Sequence, residues 1–327
     1  MKENSMKEIN INEIENILIG QYEDSLAATG CTVLVSRKGM AAGLDVRGGG
    51  PASRESELLK PTAQADKIHA LVLSGGSAYG LGAADGVMKR LEEEDIGLDV
   101  GICKVPLVCQ SDIFDLTVGR SDVRPDASYG YKAANAALEG GNYKDGNFGA
   151  GCGATVGKWN GMESSMKSGI GSYAVQLGAL KIGAIVVVNS LGDIYDYRTA
   201  KKIAGMLKAD KKSFADTYEY MLANTDIVEN KFTGNTTIGA IITNAALDKT
   251  RLNKIASMTH NGYARSINPV HTSADGDSIY ALSVGDVKAD MDIVGTMAAN
   301  VMSEAIIRAV MNCESAYGYP AAKDLLQ

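Results

Sequence analysis

The chain has 327 residues, 45% of them apolar, enough to bury one large core or two modest ones without staples. Its net charge of −7, with no Lys/Arg-rich block, argues against nucleic-acid or anionic-membrane partners, which need a concentrated positive surface; a small molecule or peptide is expected instead. Five scattered cysteines, Cys31, Cys103, Cys109, Cys152 and Cys313, are odd in number and lack Cys-x-x-Cys spacing, so reduced cytosolic thiols are expected rather than a zinc site or disulfides.

The opening segment, MKENSMKEININEIENILIG, carries charges every few residues and no apolar signal core, and no uncharged apolar run reaches about 18 residues. The expectation is a cytoplasmic protein that neither spans a membrane nor leaves by this signal. From about Gly30 the chain reads as strands with glycine-rich turns: CTVLVSR, MAAGLDVRG and HALVLSGG. Helices follow in LGAADGVMKRL, where Leu81, Ala84, Met88 and Leu91 share a face, and in DASYGYKAANAALEGG, which stops at Gly140 and Gly141. ATVGKW, SGIGSYAVQLG and KIGAIVVVNSLGD are further strands, joined by turns too short for crossover helices and therefore antiparallel.

A Lys/Asp-rich stretch at about 200–231 reads as loose and exposed. TTIGAIITNAALD is then an apolar strand, followed by a helix near Lys249–Asn261, the strand SIYALSV and a long apolar helix at about Ala289–Cys313, whose surface suits burial against another subunit. With neither an internal repeat nor a Pro/Ser-rich linker, residues 1–327 read as one domain. An α/β/β/α sandwich accommodates this mixture of hairpins and covering helices.

Glycine, at 37 residues, exceeds average usage of roughly 7% and clusters in RGGGP, LSGGSAYGLG and NFGAGCGATVGK, which marks candidate site loops. Nucleotide motifs fail there. Gly149, Gly151 and Ala154 satisfy a permissive dinucleotide pattern, but no acid lies between Glu163 and Asp193; the P-loop spacing meets Cys152 and Trp159 where Gly and Ser/Thr are required. LSGGSAYGLG lacks the nucleophile-elbow spacing, because Tyr79 stands two residues after Ser77. His69, His260 and His271 form no metal-ligand pair, and His271 after Pro269 reads as a turn cap. No metal or cofactor is expected.

Thr236 stands where polar FTGN meets buried TTIGAII, and Asp275-Gly276-Asp277 precedes a strand. Taken singly, each reads as ordinary turn chemistry. The order of all the blocks, however, resembles the L-aminopeptidase/D-amidase/D-esterase family and its nylon-oligomer-hydrolase branch. The similarity runs through TGCTVLVSRKGMAAGLDVRGGGPASRESELL, HALVLSGGSAYGLGAADGVMKRLEE, KVPLVCQSDIFDL, VRPDASYGYKAA, GNFGAGCGATVGKW, VVVNSLGD, GNTTIGAIITNAALDK and ARSINPVHTSADGDSIYALSVG.

The resemblance implies an αββα four-layer fold of two largely antiparallel sheets, self-cleavage at Asn235–Thr236 into 1–235 and 236–327, and fragments that stay together as a homo-oligomer, a tetramer of processed protomers. It implies Thr236 as nucleophile, Asp275 and Asp277 as the pair that orients it, and Lys158 and Asn189 beside the scissile carbonyl, with the Asn189 amide donating to the oxyanion. A tyrosine used near the oxyanion in relatives falls around Phe114, which has no hydroxyl; Tyr79 or another tyrosine would have to substitute. The substrate expected is a small peptide or an uncharged or amine-bearing amide, extending to linear 6-aminohexanoate oligomers. Two other readings are acyl transfer of the ornithine-acetyltransferase kind and non-catalytic binding of a small ligand by the glycine loops.

Overall fold

A computed structural model describes residues 5–225 and 235–326. Ten strands are hydrogen-bonded among these residues: β1 (Lys7–Ile9), β2 (Leu18–Asp24), β3 (Thr29–Val46), β4 (Ala52–Arg54), β5 (Ile68–Ser74), β6 (Val108–Asp112), β7 (Ile170–Leu177), β8 (Leu180–Asn189), β9 (Thr236–Ala245) and β10 (Ser278–Val287). Their order is β1-β7-β8-β9-β10-β3-β5-β6-β4, with β2 on the other side of the first half of β3. Only β9 with β10 and β5 with β6 run parallel among these pairs. The longer helices are α1 (Ala83–Glu92), α2 (Ala127–Leu138), α3 (Thr217–Ala223), α4 (Lys249–Ser266) and α5 (Met291–Met311), followed by a single helical turn, α6 (Ala322–Leu325).

Alternation along the strands builds three apolar interfaces, as period-2 side chains must when both faces of a sheet are covered. On β9, Ile238, Ala240 and Ile242, with Leu282 of neighbouring β10, meet Leu34, Leu71 and Leu73 of the opposing sheet, while Ile241 faces outward with Leu252 and Ile255 of α4 and Met302 and Ile306 of α5. On the far side, Val33, Val35 and Val72 meet Ala84, Val87 and Leu91 of α1 and Ala133 and Ala137 of α2. Helix, sheet, sheet, helix is therefore the layer order, as expected.

The two sheets share a strand. CTVLVSR and MAAGLDVRG, read as separate strands, form the single 18-residue β3. Its residues 31–35 pair with β5 and residues 41–46 with β10. Between them Arg37 and Lys38 are exposed and Gly39 takes φ +72°, so the strand bends without ending.

Other boundaries moved for local reasons. ATVGKW keeps only Thr155–Val156 as strand, because Gly157 (φ +72°) turns the chain. The loose 200–225 region contains a strand, Lys201–Ala204, in which Ala204 is buried in the core and only Lys201 is exposed, and α3, which is largely exposed; 226–231 lies outside the described residues. Leu81 precedes α1, whose buried face uses Val87 rather than Met88. α5 is apolar because it covers its own sheet and α4: Val294, Ala298, Met302, Ala305 and Ala309 lie in that core, so its composition is accounted for without a second subunit.

Candidate active site

Three strand ends converge. Asn189 ends β8 and is the register partner of Thr236, which begins β9. Parallel pairing of β9 with β10 sets Ile238 opposite Ser278, so Asp275 and Asp277 arrive beside the head of β9. Gly157 swings the chain so that the Lys158 N–H donates to the Leu191 carbonyl at 2.9 Å and its side chain reaches Asn189. Asn235, Thr236, Lys158, Asn189, Asp275 and Asp277 are all buried.

The Thr236 hydroxyl donates to the carbonyl oxygen of Asn235, the residue before it. Asp277 Oδ1 accepts from the Thr237 N–H at 2.8 Å, whereas its Oδ2 accepts from the His271 N–H at 3.0 Å and pairs with His271 Nδ1 at 2.9 Å. Asp275 Oδ2 accepts from the Thr272 N–H at 2.9 Å and its hydroxyl at 2.6 Å. Lys158 Nζ donates to Asn189 Oδ1 at 2.7 Å and to its main-chain carbonyl at 3.1 Å. Asn189 Nδ2 donates to the Phe114 carbonyl at 3.0 Å, so it is Phe114's backbone, which needs no hydroxyl, that touches this group.

The RGGG turn explains one glycine cluster. It follows β3 and wraps the Asp-Gly-Asp loop: the Arg47 N–H donates to the Asp277 carbonyl at 2.9 Å and the Gly50 N–H to the Asp275 carbonyl at 2.8 Å. A Cβ on Gly48 would lie 2.3 Å from the Asp275 carbonyl oxygen, so only glycine allows that approach. Gly276 itself faces the Thr236 hydroxyl, where a Cβ would come within 2.7 Å of Oγ1.

Burial dominates the electrostatics. It pulls the Lys158 ammonium down to about 7, against Asp275 and Asp115, which favour the charged form. Burial, then Asp277, raises Asp275 to about 6. Burial raises Asp115 likewise to about 6, against hydrogen bonds from Thr29 Oγ1 and the Gly76 N–H, both at 2.7 Å. A lysine and two carboxylates in one desolvated cluster, each shifted toward neutrality, suit proton transfer near neutral pH.

All five candidate side chains and Asn235 therefore meet at one place. Sequence reasoning missed His271, Thr272 and Asp115. The two former lie in the same VHTSADGD block, and His271 does more than cap a turn. Tyr79 is exposed, its ring 4.0 Å from the Arg124 guanidinium. The open clefts at Glu8–Glu13 with Arg308, and at Leu58, His69 and Leu107, share no residue with this cluster.

The same layering occurs in solved structures. The L-aminopeptidase D-Ala-esterase/amidase of Ochrobactrum anthropi, described as a variant of the Ntn-hydrolase fold, superposes with TM-score 0.66 at 14% identity, covering 93% of this chain and 86% of that one. A Burkholderia β-aminopeptidase gives 0.63 at 18%, with the same coverage of each chain. The fold is thus that of the Ntn hydrolases. Residues 10–323 match the model of peptidase family S58. An uncharacterized aminopeptidase of Mycobacterium leprae is 35% identical over 95% of this chain and 92% of its own length. A 6-aminohexanoate-oligomer endohydrolase of Paenarthrobacter ureafaciens is 29% identical over 91% and 84%. The chain belongs to peptidase family S58, a family of peptide- and amide-bond hydrolases.

Proposed function

We propose that this hydrolase is self-processing and that Thr236, once released as an amino terminus, is its nucleophile. The observation that carries the reading is the Thr236 hydroxyl held against the Asn235 carbonyl inside a buried cluster of Lys158, Asn189, Asp275 and Asp277. In the intact chain, Oγ1 attacks the Asn235 carbonyl carbon, the C–N bond breaks and an ester forms. Water then hydrolyses the ester, leaving the Asn235 carboxyl and a free Thr236 amine.

That amine has an unperturbed pKa of about 8, so roughly a tenth of it is neutral near pH 7, a share that rises with pH and that a neighbouring carboxylate lowers; this neutral form takes the Oγ1 proton as a substrate carbonyl is attacked. Asp275 and Asp277 hold the head of β9 in register. Lys158 and the Asn189 amide stabilise the oxyanion, a role worth roughly 3 kcal/mol per donor in other hydrolases. The proposed substrates are small peptides or uncharged or amine-bearing amides, with linear 6-aminohexanoate oligomers among them. Cytoplasmic residence and a homo-oligomer of processed protomers, a tetramer, belong to the same proposal; the hairpin exposing Leu98, Val100 and Ile102 offers apolar surface for such assembly.

Intact mass under denaturing conditions tests the reading. Fragments 1–235 and 236–327 are expected from the wild type, and a single uncut, inactive chain from Thr236→Ala. A wild-type chain that stays whole after prolonged incubation would remove the free amine and refute it.

A further inference from the structure

His271 has no part in the chemistry above, yet it makes two of the contacts that fix Asp277. It takes a left-handed backbone, φ +58°, which directs both its N–H and its Nδ1 at the same carboxylate oxygen, Oδ2, at 3.0 and 2.9 Å. The other oxygen, Oδ1, is thereby left facing the Thr237 N–H at 2.8 Å. A carboxylate only accepts, so the Nδ1 of His271 carries the proton. Its Nε2 is buried with no hydrogen-bond partner among the described residues.

The ring is also held from behind. It meets the His260 ring edge-on at 4.7 Å and stacks on Tyr263 at 6.0 Å. His260 is itself tied by Nε2 to the Asp45 carbonyl at 3.0 Å, and burial, more than its neighbour His271, pulls its pKa down to about 4, so it packs as a neutral ring. The charged and titratable groups around the pair are Asp275 toward the site, itself facing Lys158 with Asp115 beyond, and His260, Tyr263, Asp45 and Arg47 behind it.

We propose that His271 is a positioning residue for Asp277: by saturating Oδ2 it fixes the plane of the carboxylate, so that Oδ1 points at the head of β9, where the Thr236 amine emerges. The inference rests on the reading of Thr236 as the processed terminus. A carboxylate held there stabilises the ammonium and raises the amine's pKa; a carboxylate free to rotate does so less. Two requirements select the residue type, tolerance of left-handed backbone and a donor one bond beyond Cγ. Asparagine meets both, and glycine only the first.

The test compares wild type, His271→Gly, which keeps the N–H and the backbone conformation and deletes the ring, and His271→Asn, which restores a donor near the Nδ1 position. Self-cleavage is followed by intact mass. The α-amine of fragment 236–327 is titrated by its pH-dependent acetylation with acetic anhydride, read on the fragment by mass spectrometry. Expected for His271→Gly are self-cleavage slowed roughly tenfold and an amine midpoint lowered by about one pH unit; His271→Asn recovers most of both.

An unchanged midpoint and cleavage rate in His271→Gly, or equal losses in the glycine and asparagine variants, would overturn the role of His271 while leaving Thr236 as nucleophile. An uncut wild-type chain would remove the underlying reading and this inference together.

Discussion

Gly276→Ala isolates the steric demand at the candidate nucleophile. Gly276 does not take a positive φ, so its backbone admits alanine; what does not admit it is the space. The new methyl would stand 2.7 Å from Thr236 Oγ1 and 2.9 Å from the Gly50 carbonyl oxygen, both well inside ordinary contact. Gly50 is held by its N–H on the Asp275 carbonyl at 2.8 Å, so the threonine hydroxyl, on a rotatable bond, gives way by several tenths of an ångström. A misplacement of about 1 Å costs reactions on the order of a hundredfold, so self-cleavage should slow by roughly tenfold. Overpacking of this kind costs about 1–3 kcal/mol, which leaves the variant folded with a thermal midpoint lowered by a few degrees. The assay is a mass-spectrometric time course of fragments 1–235 and 236–327 in freshly purified protein, beside a thermal melt. Cleavage at the wild-type rate with the melt lowered as expected would refute the claim that the hydroxyl's position on the Asn235 carbonyl controls the reaction.

Lys158→Met should abolish turnover and flatten one part of the pH–stability curve. Because burial lowers Lys158 to about 7 from an unfolded value near 10.4, the folded state binds fewer protons between those pH values, so its contribution makes stability rise with pH across that window. The melting difference between wild type and Lys158→Met should therefore move in favour of the wild type from pH 7 to pH 9; a constant difference would show that the lysine is not shifted. Tyr280→Phe deletes a buried hydroxyl that shares a hydrogen bond with Ser111 Oγ at 2.8 Å and donates to the Gln110 carbonyl at 3.1 Å, between the sheets. Urea titration in the uncut Thr236→Ala background, where one chain can refold, should show a loss of about 1–2 kcal/mol, and an unchanged midpoint would contradict those bonds.

How much of this was legible follows from what each segment buries. β5, β8 and β9 announce themselves because both faces are covered: β5 and β8 are mostly apolar, and β9 carries the apolar run IGAII between threonines. The break assumed in β3 came from Arg37-Lys38-Gly39, which has hairpin-turn composition, although there it marks only the exposed bend where one strand passes between sheets. β1 and β2 were hidden by charge: Lys7 and Glu8 are exposed beside a single buried Ile9, and Glu23 and Asp24 are half-buried at the end of a strand whose Ile19, Gly20 and Gln21 are buried. At the site, Thr236, Asp275 and Asp277 looked ordinary one by one and became legible only through the order of the surrounding blocks. The glycine clusters signalled close approach without saying to what, because the partners, such as Gly48 against Asp275, are more than 200 residues away. His271 was obscured for a different reason: a histidine after proline is a common turn residue, and only the left-handed backbone turns its ring onto Asp277.

The placement of β9 and β10 gives a cut at Asn235–Thr236 a consequence for the protein's history. These strands sit between β8 and β3, so the shorter piece would be clamped on both edges by the longer one and needs no covalent tie to stay. Folding, in contrast, would have happened only once as a unimolecular event. After the cut, a heat-unfolded molecule has to find its missing centre by collision, at a rate set by concentration. Scission would thus act as a ratchet: the native state outlives the covalent connection that produced it, and protein lost to unfolding is replaced by new synthesis rather than recovered by refolding.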